Sequence, residues 1–517
     1  MSTHAFYPAK GAVLGVIGAG TMGAGIAQIA AAAGYRIKLC DAREGAARQA
    51  VDTLGSALKK RVDTGKLAAN DAQALLARIE PVESVAAMSD AAVVIEAIVE
   101  RIDAKRALLA QLESIVADTC ILASNTSSIS ITALGRDMRL PGRLAGMHFF
   151  NPVPVMKLVE IISGMATDAQ VAAALAQLAQ EWGKVAIHAR STPGFVVNRI
   201  ARPFYAEALQ LVQECRATPA VVDAALRAAG FRMGPCELMD LIGHDVNFSV
   251  TESTYAAYYY DKRFVPSIVQ QELVDGGRLG RKSGQGFYDY AMANEQAGRA
   301  PVVPVAQGSV QIVRNSGLSH LIEPLTKAGW RIDAADAQTL PQALKTSRQG
   351  VLKLGDTLVA VTDGRPAAQL SALTGCRSLA VIDIAVGPQG GPLCLAFSPG
   401  CSDTQREEVC NLLRAAGREP SVIDDAPGLV VARTLVMLIN EAADAVRQGV
   451  CGESDADTAM KLGTNYPAGP FEWLAQLGAR YVCDTLDHLD DLYRGERYRT
   501  SLLLRDRAWR EMAASAA

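Results

Sequence analysis

Six residues, Gly18-Ala19-Gly20-Thr21-Met22-Gly23, follow directly on the apolar run Ala12–Ile17 and open into an Ala-rich stretch that reaches Ala33. An apolar run without alternation suits a strand buried on both faces, and the Ala-rich stretch suits a helix, stopped by Gly34. Tyr35 to Cys40 reads as a second strand, ending in Asp41. Few folds can use that order of parts. Gly18 permits a tight turn, Gly20 lets the backbone approach a pyrophosphate, and Gly23 allows close helix packing. Ala19, Thr21 and Met22 complete a loop at a helix N-terminus, whose N–H groups and positive dipole end suit phosphates. Asp41 stands where a carboxylate accepts both ribose hydroxyl hydrogens and disfavours a 2′-phosphate, so NAD is expected over NADP. Arg43, two residues on, is the one feature that would serve a 2′-phosphate instead.

At 517 residues the chain is too long for one core, and two to four domains are expected. Half of it is hydrophobic and the net charge is −3. Nothing there calls for a nucleic-acid or anionic-membrane partner. No apolar run approaches the roughly 20 residues of a membrane helix, and residues 1–10 lack the pattern of a signal peptide. Ten cysteines stand without a CxxC pair or zinc-ligand spacing, so they read as reduced and mostly buried. A cytoplasmic protein without a metal site is expected.

Further along, Ala92–Ala97 reads as a buried strand, followed by a helix carrying Glu100 and Lys105. Those charges read either as solvated groups on an exposed helix or as groups facing the dinucleotide crevice at a strand's carboxyl end. A strand from Cys120 to Ser124 ends in Asn125-Thr126-Ser127-Ser128, and Gly146-Met147-His148-Phe149-Phe150-Asn151-Pro152 comes later. His148 suits reversible proton exchange with a hydroxyl at neutral pH, and Glu160 is a candidate to orient its ring. From spacing alone, His148 reads equally well as a structural residue.

The stretches GVIGAGTMGAGIA, VVIEAIVER, ASNTSSISIT, GMHFFNPVPVMKLVE and STPGFVVNRI resemble the L-3-hydroxyacyl-CoA dehydrogenase family. The resemblance continues through Met233–Leu238 and Lys282–Tyr288, and so spans the first 290 residues. It implies His148 as general acid/base with Glu160 as its partner, and Ser127 and Asn198 at the reacting oxygen and nearby substrate. It implies Asp41, Glu100, Lys105, Asn151 and Lys282 around NAD beside the glycine loop. For the coenzyme A part of an acyl-CoA substrate, Lys59, Lys60 and Lys66 are candidates, with Lys66 carried forward. The runs RPFYAEAL and VPSIVQQELVDGGRLGRKSG are similar to the branch that acts on 3-hydroxyadipyl-CoA in bacterial phenylacetate degradation. The runner-up substrate is 3-hydroxybutyryl-CoA, and a non-catalytic NAD-binding or structural protein is the reading from another class.

An internal repeat completes the plan. Thr192-Pro193-Gly194-Phe195-Val196-Val197 recurs as Ala426-Pro427-Gly428-Leu429-Val430-Val431, and Glu207 and Asp223 recur as Glu441 and Asp457, at an offset of 234. Residues 10–192 are expected to form an α/β Rossmann-type domain and 193–290 an all-α substrate domain. A linker (291–308), a degenerate α/β segment (309–420) and a second all-α repeat (421–517) follow. No GxGxxG loop or HFFNP run recurs, and Ala432 replaces Asn198, so the second half reads as structural. Two stacked helical units would bury what single-unit relatives bury by dimerising. The expected assembly is therefore a monomer with an internal pseudo-dimer or a homo-oligomer (dimer or trimer). Finally, Arg202 follows Asn198 by four residues. It reads either as a helix-borne group facing the substrate's far end, or as one reaching solvent or pairing with a structural acid such as Glu207.

Overall fold

The run before the glycine loop forms strand β1 (Val13–Ile17), buried throughout. Seven more strands join it: β2 (Arg36–Cys40), β3 (Ile79–Val82), β4 (Val93–Glu96), β5 (Ile121–Ser124), β6 (Leu144–Phe149), β7 (Leu158–Ser163) and β8 (Val185–Arg190). Their order in the sheet is β3-β2-β1-β4-β5-β6-β7-β8. β3 through β6 run parallel, β7 turns antiparallel to β6, and β8 is parallel to β7. The chain leaves β1 on one side and returns at β4 on the other. That reversal opens a crevice beyond the carboxyl ends of β1 and β4, where such sheets take ligands. The antiparallel β6–β7 pair matters as much, because its register sets His148 opposite Glu160.

The computed structural model describes residues 7–291, 308–346, 349–387 and 390–516. The predicted linker lies almost wholly outside them. The chain forms two compact units: Met1–Arg199 with Gln448–Thr464, and Ile200–Arg447 with Asn465–Ala517.

In the second unit a seven-stranded sheet contains β9 (Ser309–Arg314), β10 (Arg331–Ala334), β11 (Val351–Leu354), β12 (Thr357–Val361), β13 (Leu379–Ile382), β14 (Pro392–Phe397) and β15 (Glu419–Val422). The β12-to-β15 part repeats the pattern of β5 to β8: parallel, antiparallel, parallel. The helices after β7 and β14 are capped by Asp168 and Ser402, again 234 apart. Ile382 pairs with Leu395, and the next residue, Asp383, donates its N–H to the Cys394 carbonyl at 2.9 Å. Asp383 therefore occupies the place of His148, and Cys394 the place of Glu160. No histidine and no HFFNP run stand at that position.

The helical part of the second unit is fastened by buried carboxylates. Asp223 accepts N–H bonds from Cys236 and Glu237 and the Tyr288 hydroxyl. Asp240 accepts from Phe287, Tyr288, Tyr290 and His244. A Cβ on Gly234 would lie 2.3 Å from Asp223 Oδ1, and one on Gly286 would lie 2.1 Å from Asp240 Oδ1. The Gly234-Pro235 and Gly284-Gln285-Gly286 motifs thus serve close approach to two acids. Glu207, wholly buried, meets Arg433 at 2.9 Å and Arg497 at 2.8 Å. Arg263 meets Glu441 at 3.2 Å and Asp444 at 2.5 Å. Glu207 and Glu441, like Arg263 and Arg497, stand 234 residues apart. Each repeat therefore gives the other the same acid–arginine contact, the reciprocity of a twofold interface written into one chain.

Candidate active site

Strand β1 ends in the glycine loop. Gly18 sits at φ +100°, and a Cβ there would come within 2.4 Å of the Ala97 carbonyl oxygen. A Cβ on Gly23 would lie 1.7 Å from the Gly18 carbonyl oxygen, whereas one on Gly20 would meet nothing within 4 Å. Gly18 thus lets the loop lie against the end of β4, Gly23 closes it on itself, and Gly20 borders open space. Gly20 caps the Thr21–Ala32 helix without a side chain, and no acid in the first turn competes for its N–H groups. That arrangement fits a pyrophosphate. Beyond β2, Asp41 accepts the Ala19 N–H at 2.7 Å and the Arg43 N–H at 3.0 Å. Burial alone would raise the Asp41 carboxyl; these N–H groups and the Arg43 guanidinium hold it below its ordinary value. Arg43 therefore lies against Asp41, and its charge is engaged by the acid.

Glu100 stands in the loop after β4, ahead of the Ile102–Glu113 helix rather than on it, correcting the expected placement. Its Oε1 accepts from the Thr126 hydroxyl at 2.6 Å and from the Ser127 and Ser128 N–H groups at 2.9 and 3.1 Å. Burial opposes ionisation, but these donors and Lys105 keep its carboxyl below the usual range. Lys105 is on the helix yet fully buried, so it is not a solvated charge. It reaches back to Glu96 at 2.8 and 2.9 Å and lies 3.4 Å from Glu100. Glu96 had no role in the sequence reading. An acid closing an otherwise apolar strand was its only signal.

His148 is buried, and its Nδ1 lies 2.6 Å from Glu160 Oε2. The other oxygen of Glu160 accepts the N–H groups of Val196 and Val197 at 3.2 and 2.9 Å. One buried carboxylate therefore fixes both the imidazole and the start of the segment bearing Asn198. With Nδ1 held by the acid, Nε2 is the ring nitrogen left for chemistry. Phe150 and Phe195 flank the ring, with centroids 4.6 and 5.9 Å away. Phe195 stands at φ +48°, a conformation side chains seldom adopt, and its counterpart Leu429 stands at φ +50°, so the turn belongs to the repeated fold.

A cavity of about 370 Å³ brings together Met22, Glu100, Ser127, His148, Asn151 and Asn198. Asn125, which also lines it, takes the Phe149 N–H at 2.8 Å and so ties the β5 end to β6. Lys105 stands behind this cavity rather than in it. A second cavity, about 400 Å³, runs between Gly20, Thr21, Gln28 and Arg43 on one side and the Ala46–Asp63 helix on the other. Lys59 pairs with Asp63 in the open, and Lys66 stands in an exposed turn; neither they nor Lys60 line either cavity. Size does not select the site. A larger cavity in the second unit, about 840 Å³ beside Arg216, Arg406 and Asp425, is lined by no histidine. Lys282 belongs to the second unit and pairs there with Asp245. Arg202, also in the second unit, is buried rather than solvated, and Glu207 is taken by Arg433 and Arg497. The expectation that Arg202 reaches solvent or pairs with Glu207 is corrected on both points. In the second half, Asp383 accepts the N–H groups of Val430, Val431 and Ala432 at 2.7 to 2.9 Å. It performs the capping that Glu160 performs in the first half, with no histidine beside it.

Among family models, the 3-hydroxyacyl-CoA dehydrogenase NAD binding domain matches residues 13–192, and the C-terminal domain matches 194–290 and again 428–512. The reduced Rossmann-fold domain of 3-hydroxybutyryl-CoA dehydrogenase matches 359–427. The chain is 44% identical to the 3-hydroxyadipyl-CoA dehydrogenase of Escherichia coli (strain K12), over 95% of this chain and 96% of that one. It is 39% identical to a probable 3-hydroxybutyryl-CoA dehydrogenase of Bacillus subtilis, over 53% of this chain and 96% of the relative. A crystal structure of 3-hydroxybutyryl-CoA dehydrogenase from Escherichia coli K12 superposes with a TM-score of 0.86 at 42% identity, covering 98% of this chain and 100% of the other.

Proposed function

The chain belongs to the 3-hydroxyacyl-CoA dehydrogenase family and is an NAD-dependent oxidoreductase, and from that premise we propose that its substrate is 3-hydroxyadipyl-CoA, oxidised at C3 to the 3-oxo thioester. The observation that carries the catalytic reading is the buried His148–Glu160 pair at 2.6 Å, opening on a cavity it shares with Ser127 and Asn198. As the C3 hydroxyl becomes a carbonyl, His148 Nε2 takes its proton and Glu160 stabilises the imidazolium formed. Ser127 and Asn198 hydrogen-bond the reacting oxygen and fix its distance from the imidazole. NAD, when bound, supplies the acceptor for the C3 hydride, and the first unit's residues to hold it are the 18–23 loop, Asp41, Glu100 and Asn151. Lys105 acts behind them, by keeping Glu96 and Glu100 in place.

The substrate choice is supported by the near full-length likeness to the 3-hydroxyadipyl-CoA enzyme. The solved neighbour bears the name of the shorter, uncharged chain and favours 3-hydroxybutyryl-CoA as the second reading. A panel of 3-hydroxyacyl-CoA thioesters, with and without a terminal carboxylate, separates the two. The highest kcat/KM is expected on 3-hydroxyadipyl-CoA; a preference for 3-hydroxybutyryl-CoA over every longer chain would overturn the assignment. The same reading takes the enzyme to be cytoplasmic, with the second half structural and a pseudo-dimer within each chain. Among the described residues no helix is long and apolar enough to cross a membrane.

A further inference from the structure

Beside the His148 cavity, three charged side chains of the first unit stand together: Glu96 at the end of β4, Lys105 on the Ile102–Glu113 helix, and Glu100 in the loop between them. Glu96 and Lys105 are each 1% exposed. Glu96 is saturated with donors. Its two oxygens accept from Lys105 Nζ at 2.9 and 2.8 Å, Oε2 also takes the Ile98 N–H at 3.1 Å, and the Ser124 hydroxyl donates to Oε1. Four donor contacts suit a carboxylate, which only accepts.

Glu100 is held differently. Its Oε2 lies 3.4 Å from Lys105 Nζ, farther than either oxygen of Glu96. Its Oε1 takes the Thr126 hydroxyl and the Ser127 and Ser128 N–H groups, neutral donors that fix the carboxylate without cancelling its charge. Glu100 lines the cavity, and no other acid and no lysine or arginine stands among the described residues lining it. Two carboxylates and one ammonium leave a single negative charge, and Glu100 is where that charge meets the cavity. One ammonium cannot neutralise both acids, so the closer grip of Glu96 decides how much charge Glu100 keeps.

The reaction moves a positive charge across this cavity. As C3 is oxidised, its C–H bond breaks with the electron pair going to the cationic nicotinamide, which becomes neutral. The hydroxyl proton goes to His148 Nε2, which becomes cationic and is met by Glu160. Hydride transfer needs near contact, so the nicotinamide must lie beside the carbon whose hydroxyl meets His148, in the cavity that Glu100 lines. That placement rests on the role of His148 proposed above.

We propose that Glu96 is a positioning residue for the cofactor's redox state: by drawing Lys105 away from Glu100, it leaves that carboxylate as counter-ion to the oxidised nicotinamide. The site thereby favours NAD over NADH more than a neutral wall would.

The test is the ratio Kd(NAD)/Kd(NADH) for the full-length chain without substrate, by calorimetry for NAD and fluorescence for NADH. The pyrophosphate and riboses are common to both forms, so the ratio isolates the nicotinamide charge. Glu96→Gln frees Lys105 to neutralise Glu100, and Glu100→Gln removes the charge outright. Each raises the ratio roughly tenfold, the scale of one unit charge at close range in a partly solvated site. The double variant Glu96→Gln/Lys105→Met removes acid and base together, leaves Glu100 charged, and restores the wild-type ratio. A Glu96 that only braces the fold would weaken both cofactor forms equally. An unchanged ratio in Glu96→Gln overturns the proposal, as does a double variant that keeps the shifted ratio. If Glu96→Gln does not fold, a shift in Glu100→Gln with none in the double variant supports the proposal, and no shift in Glu100→Gln overturns it. These measurements need no turnover. Should the enzyme act on no 3-hydroxyacyl-CoA, the proposed function falls, and the ratio still decides the role of Glu96.

Discussion

His148→Gln lowers kcat by about 10²–10⁴-fold, the scale of a general acid–base group, and leaves NADH affinity nearly unchanged. The expectation follows from the ring's two nitrogens. Nδ1 is 2.6 Å from Glu160, so only Nε2 is left to exchange a proton with substrate. Gln keeps hydrogen-bonding capacity and roughly the same reach, but it has no ring nitrogen that can take up and return a proton. Packing against Phe150 and Phe195 preserves the wall of the cavity, which separates lost chemistry from lost structure. Steady-state rates with NADH titration by fluorescence read both quantities. Near-normal turnover would remove His148 from the reaction, and an equal loss of NADH affinity would make it a cofactor-site residue instead.

The second large effect is on stability. Glu207→Ala lowers the unfolding free energy by about 3–5 kcal/mol, the scale of breaking a buried pair, because it leaves two guanidiniums without their acid. Arg433 is wholly buried and Arg497 meets the other carboxylate oxygen, so both lose their counter-charge at once. Burial alone would raise the Glu207 carboxyl, but Arg497 and Arg433 more than offset it and hold the group below its ordinary value of 4.5. A depressed carboxylate contributes stability that is present above its unfolded pKa and lost as pH falls through the folded one. The variant should therefore have a flatter acid limb below about pH 4.5 as well as a lower denaturant midpoint. An unchanged midpoint would show that the reciprocal acid–arginine contacts do not bind the repeats together.

Much of the first unit was legible because its signals are local. The glycine loop, its flanking strands and Asp41 lie within 30 residues, and each turn or close approach there demands a particular residue type. The likeness of longer motifs marked His148, Glu160, Ser127 and Asn198, but spacing could not pair them. His148 and Glu160 are 12 residues apart, and only the antiparallel register of β6 and β7 sets them face to face. Lys105 was misread as either solvated or facing the crevice, since its burial depends on Glu96 across the β4–helix connection. The role of Asp383 was invisible for a similar reason. The carboxylate that caps the repeated helix has moved from the second strand of the pair to the first, so no residue-by-residue echo survives. For Arg202, helical spacing fixes a direction around an axis but not burial, which depends on what packs against it.

If the first unit's base, amides and glycine loop make a working 3-hydroxyacyl-CoA dehydrogenase, mixing the full-length chain, NADH and acetoacetyl-CoA runs the reaction in reverse, and the NADH absorbance band reports it. The band should decay catalytically, many turnovers per chain, and NADPH should be a much poorer substitute because Asp41 stands at the ribose position. A band that stays constant at enzyme concentrations equal to NADH, with NADH shown to bind, would mean that the His148 site does not carry out this reaction.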